Sequence, residues 1–169
     1  MSSFDNGASV VECVRSNPSA TYKVFDLVTG DVSNIAATSI TVANKLYIAF
    51  KYPGVPPSTL LPQGITKLYL GFKTVDGAAI TAGNADKKEI IIQVTYDTAS
   101  ASGVVLESYS GFLDKSKRES GVNLYLGELL KKSNLITLVN TISDMDTVVL
   151  LGASTSKAIG PNATDARVS

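Results

Sequence analysis

The side chains best placed for chemistry lie in DKSKRES, residues 114–120, where Lys115, Lys117 and Arg118 interleave with Asp114 and Glu119. Cations this dense point to contact with phosphate or an acidic partner, whereas the interleaved acids point to a solvated loop leading into a helix. A second candidate is a pair of faces. KLYIAFK at 45–51 and KLYLGFK at 67–73 are identical at five of seven positions. Strand-like alternation turns Leu46, Ile48 and Phe50 inward in the first, and Leu68, Leu70 and Phe72 inward in the second. Lys45, Tyr47 and Lys51, and likewise Lys67, Tyr69 and Lys73, then face out as a surface that suits phosphates and stacked bases of a single strand. Fifteen basic and fifteen acidic residues cancel, so any such affinity is expected to be weak and salt-sensitive.

Covalent and acid–base catalysis have little to work with. The chain has no histidine, which removes Ser-His-Asp and Cys-His nucleophiles and the usual transition-metal ligand sets. Cys13, in VVECVR, has no histidine to activate it and reads as a small core hydrophobe. Phosphate-loop, dinucleotide and hydrolase-elbow motifs are all missing. Glu12, Glu89, Glu107, Glu119 and Glu128 are scattered, and no tryptophan is present to stack a sugar ring, which disfavours a glycosidase pair. Asp144 and Asp146 supply too few oxygens for calcium and are expected to form a turn or cap. No catalytic residue, cofactor or metal ligand is assigned.

The elements that would position these residues repeat with period two. Strands are expected at 10–15, 21–28, 39–43, 45–51, 67–73, 89–96, 103–109, 134–139 and 147–153, separated by turn signals such as Thr29-Gly30-Asp31, Asp76-Gly77 and Ser102-Gly103. This is the pattern of an all-β, two-layer antiparallel sandwich, a jelly roll or another Greek key. One stretch differs: Val122, Leu126, Leu129 and Leu130 recur at helical spacing ahead of Lys131 and Lys132, predicting a short helix near 122–132, with a strand at NLYLGEL as the alternative. The proline-rich 52–66 is expected to be a long loop crossing between sheets. Residues 1–155 then form one domain, and 156–169 a polar C-terminal tail. The two heptads read as strands converging on one template, because the residues flanking them do not align.

Only 18% of residues are charged, below the roughly 25% of an average soluble protein, and Ser, Thr and Ala fill the difference. Low charge on a sheet-rich chain favours subunit contacts. A single cysteine excludes an intrachain disulfide, and neither a signal peptide nor a membrane span is legible, so synthesis in the cytoplasm is expected. Elimination and composition together lead to a non-enzymatic, self-assembling structural subunit, such as a small viral coat or virion decoration protein. Its partners would be further copies of itself and other virion proteins, with nucleic acid a weak partner at most. The alternative is a sandwich module that binds glycan, protein or single-stranded nucleic acid.

Overall fold

The computed structural model describes residues 21–36, 44–53, 58–148, 154–160 and 166–167. The first sheet begins with β1 (Thr21–Asp26), which turns back into β2 (Val32–Ala36). Asp26 makes that turn: its Oδ1 accepts from the backbone N–H groups of Val28 (2.8 Å) and Thr29 (3.1 Å). Gly30 closes it at φ 76°, in the left-handed region where a Cβ is costly. β3 (Leu46–Pro53) lies on the other side of β1, and β9 (Ile136–Asn140) lies beyond β3, giving the order β2-β1-β3-β9.

The second sheet is built on the meander β4 (Ile65–Thr74), β5 (Ile90–Thr98) and β6 (Val104–Gly111). β10 (Ser154–Gly160) and β11 (Ala166–Arg167) extend it to the order β11-β10-β4-β5-β6, antiparallel throughout. The two sheets pack together as a sandwich, and one core runs between them. No helix among the described residues is long and apolar enough to cross a membrane.

The heptads become interior strands, β3 with a neighbour on each side in one sheet and β4 at the centre of the other. Leu46, Ile48 and Phe50 meet Leu68, Leu70 and Phe72 in the shared core, where Phe25 and Phe72 pack with ring centroids 6.3 Å apart. Burial of each such side chain contributes about 1.5–3 kcal/mol, enough to make these inner rows the main source of sheet-on-sheet adhesion. The inward assignment from sequence is therefore correct. The outward one fails at the tyrosines, because Tyr47 and Tyr69 are only 6% and 5% exposed. On β3 the reason is a second cluster on the far face of the sheet, where Tyr47 packs with Val24, Ala49, Ile35 and Val139.

Three connections change sheets: β3 to β4, β6 to β9 and β9 to β10. β9 runs antiparallel to β3, so the first and third crossings leave opposite ends of the sandwich. The second crossing contains the segment expected to be a helix over 122–132, and there the expectation needs correcting. β7 (Arg118–Glu119) pairs with β8 (Val122–Asn123) as a short ribbon, α1 covers only Leu126–Leu129, and a 3-10 turn follows at Leu130–Lys132. Ser120 and Gly121, at φ 49° and 79°, reverse the chain and prevent a helix from starting at Val122. Asn123 Oδ1 then accepts from Tyr125 N–H (2.9 Å) just before α1 begins.

Two further differences concern the edges. VSNIA forms β2 although its Ser33 and Asn34 interrupt the apolar pattern; both are exposed on an edge strand. Residues 154–160, most of them assigned from sequence to the polar tail, pair with β4 along its free side and place Ile159 in the core. The expected strands at 10–15 and 39–43, Cys13, and most of 147–153 lie outside the described residues.

Truncation of either core phenylalanine, Phe50→Ala or Phe72→Ala, is expected to destabilise the protein by about 3–5 kcal/mol in urea or thermal unfolding. Lys73→Ala, on the exposed side of β4, is expected to change stability by less than about 0.5 kcal/mol.

Candidate functional site

Lys115 and Lys117 lie in the loop joining β6 to the ribbon, Arg118 begins β7, and all three are exposed. Asp114 shapes this loop: its Oδ1 accepts from Ser116 N–H (2.7 Å) and Ser116 Oγ (2.6 Å). These bonds, with Lys117 nearby, hold the Asp114 carboxyl below the usual carboxylate range. Lys117 Nζ lies 4.7 Å from the Phe112 ring centroid, a cation–π contact that commits this lysine. The register of the ribbon pairs Arg118 with Asn123 and Glu119 with Val122, so Arg118 and Glu119 point to opposite faces. The cluster is thus a mixed-sign ribbon with Arg118 standing clear on one face.

The Lys/Tyr faces do not come together. β3 and β4 sit in different sheets, so Lys45 and Tyr47 lie across the sandwich from Lys67, Tyr69 and Lys73. Burial of Tyr47 and Tyr69 removes the open ring faces on which bases would stack. Lys45 Nζ stays 6.0 Å from the Tyr47 ring centroid. Lys51 turns inward to the second crossing, where its Nζ donates to the carbonyls of Lys131 and Ser133. That satisfies carbonyls left open at the end of a helical segment.

A polar joint that sequence reasoning missed sits beside Lys51. β6 carries a bulge in which Val94 faces Glu107 and Thr95 faces Val105, leaving Leu106 as the extra residue. Val94 is buried in the core and Glu107 lies opposite it, so this edge strand carries an inward-facing carboxylate. Ser133 Oγ donates to Glu107 Oε2, and Asn134 N–H donates to Glu107 Oε1 (3.1 Å). The same hydroxyl accepts from the N–H groups of Leu135 (3.1 Å) and Ile136 (2.9 Å). With its proton and both lone pairs engaged, Ser133 acts as a joint between β6 and β9 and not as a nucleophile. Beside it, burial first and the Glu107 charge second push the Tyr109 hydroxyl above the ordinary phenol value of 10.0.

Two depressions among the described residues bear on binding. One, of about 160 Å³, lies on the outer face of the β4–β5–β6 sheet, over Gly71 and between Ser156, Gln93, Thr95 and Val105. The other, of about 350 Å³, lies at the end of the sandwich where β1 and β9 finish. Val28, Ile142 and Val148 give it an apolar lining, with Asn44, Ser143, Asp144 and Thr147 supplying the polar positions. Asp144 caps the adjoining 3-10 turn by accepting from Asp146 N–H (3.0 Å), the turn role expected of this pair. Among the described residues no group of three acids or cysteines could hold a metal ion.

The joint, Lys51 and the half-buried Tyr125 yield three expectations. Glu107→Ala strands Ser133 and Asn134 donors and is expected to cost about 1.5–3 kcal/mol, read by chemical denaturation. Lys51→Ala should cost clearly more than Lys73→Ala in the same assay. Tyr125 concerns pH: burial raises its hydroxyl above 10.0, with a hydrogen bond to Asn140 opposing and the Glu128 charge adding. The folded protein then keeps this proton at a pH where the unfolded chain has lost it. Its contribution is complete below the unfolded value and is lost as pH rises through the folded one. Stability is therefore expected to fall as pH rises through and above 10.0, and Tyr125→Phe should make that fall shallower.

No protein-family model matches the chain, and no curated protein matches it either.

Proposed function

We propose that the chain is a non-enzymatic structural subunit that assembles with copies of itself. One observation carries this reading: the outer face of the β4–β5–β6 sheet has little charge at its centre. Gly71, Gln93, Thr95, Val105 and Ser156 line the shallow depression there, with Lys73 its one charged lining residue; Val105 is 50% exposed, and Lys67 lies on the other side of Gly71 along β4. Charge depleted at the centre and kept to the margin is the anatomy of a protein contact. Ser108 accepts from Gln93 Nε2 across this face (3.3 Å), so these two polar groups keep a partner when the face is covered. A surface of this kind loses little on being covered.

The finer assignment is a coat or decoration subunit of a virion, for which a small sandwich with little charge is suited. We assign its topology as a Greek key rather than a rolled jelly-roll ribbon, whose paired strands cross together at one end. A second reading, a ligand-binding module, is favoured by the 350 Å³ end depression, which falls within the roughly 300–1,000 Å³ of small-molecule sites. Its lining carries one acid and no aromatic ring, which suits a basic side chain better than a glycan. Nucleic acid remains a weak partner, because the cations of the ribbon are diluted by Asp114 and Glu119.

Sedimentation velocity near neutral pH across a wide concentration range is expected to show species larger than the monomer. Val105→Glu, which places a charge in the centre of the face, should weaken association by about tenfold or more without lowering thermal stability. Monomer at every concentration would contradict self-assembly.

A further inference from the structure

We infer that the end depression is a socket for Arg118 of a second copy, and that two copies exchange these arginines across a two-fold axis. The inference rests on the self-association proposed above. The socket combines a floor of Val28, Ile142 and Val148 with one carboxylate, Asp144. Val28 is 41% exposed, an apolar side chain left for an occupant. Asp31, on the same turn, and Asp146, beside the cap, are both exposed and add to the negative field. The occupant this chemistry selects has an aliphatic stem and a cationic tip, with Arg preferred for its forked donors.

The ribbon provides such a group. Arg118 is exposed and makes no ion pair among the described residues, and the register turns it away from Glu119. Lys117 is held over Phe112, and Asp114 is held in its own turn, so neither competes for it. Charge complementarity therefore pairs Arg118 with Asp144.

Placement decides the symmetry. The Tyr125 hydroxyl, at the foot of the ribbon, lies beside the Asn140 side chain, and Asn140 Oδ1 accepts from N–H of Ile142 in the socket (3.1 Å). Ribbon and socket thus share one end of the sandwich. Each copy presents both at once, so two copies can meet end to end with both contacts made, a closed isologous pair and not an open filament.

The test is a charge swap followed by sedimentation velocity at low and high salt. Arg118→Glu alone and Asp144→Arg alone are each expected to weaken pairing by about tenfold or more. A mixture of the two variants should restore it, since both contacts of the mixed pair again join opposite charges. The double variant R118E/D144R should pair with itself, which also shows that loss of the Asp144 cap has not unfolded the chain. Pairing of both single variants at wild-type strength, or no recovery in the mixture and in the double variant, overturns the socket. If Val105→Glu weakens association while the swaps leave it unchanged, the socket fails and self-assembly stands. If wild type is monomeric throughout, both fail.

Discussion

The rest of the molecule depends on Leu46, Ile48 and Phe50 of β3 being buried in the same core as Leu68, Leu70 and Phe72 of β4. A sandwich needs a central strand in each sheet that presents an unbroken apolar row, and the chain meets that need twice with nearly the same seven residues. The connections then follow. β3 must cross to β4, the meander must return from β6 to β9, and the chain must cross again to set β10 beside β4. The return is the demanding step, because it runs from the edge strand of one sheet to the edge strand of the other. Leu126 and Leu130 bury themselves there while Glu107, Ser133 and Lys51 supply the polar bonds that a core edge requires.

Much of this was legible in the amino acids, and the misses have physical causes. Period-two alternation located β1, β3, β4, β5, β6 and β9, since each has one core-facing row of β-branched, aromatic or leucine side chains. β2 escaped because an edge strand tolerates Ser33 and Asn34 where a central one would not. The helix was drawn too long because Val122 lies at helical spacing from Leu126, a coincidence that the left-handed Ser120–Gly121 pair cancels. Gly127 leaves the space into which the Tyr125 ring packs.

The candidate surfaces were legible in part. The loop cations lie together as their sequence proximity required, yet only the strand register shows which of them stands apart from Glu119. The tyrosines of the heptads were assigned outward correctly in parity and wrongly in exposure, because a central strand is covered by its neighbours on both faces. The Glu107–Ser133 bond joins residues 26 positions apart through a bulge, and alternation carries no signal for an inserted residue.

Most of the polar chemistry is consumed in holding the crossings and turns. What remains for function is an outer face with little charge at its centre, an arginine held clear and an acid-bearing apolar socket. The central claim is that these serve contacts between identical chains. Negative-stain electron microscopy of the purified protein tests it most directly. The expected result is a population of uniform, symmetric particles several times the volume of one 17.7 kDa chain. A field of single-chain particles that persists as concentration rises would contradict the account.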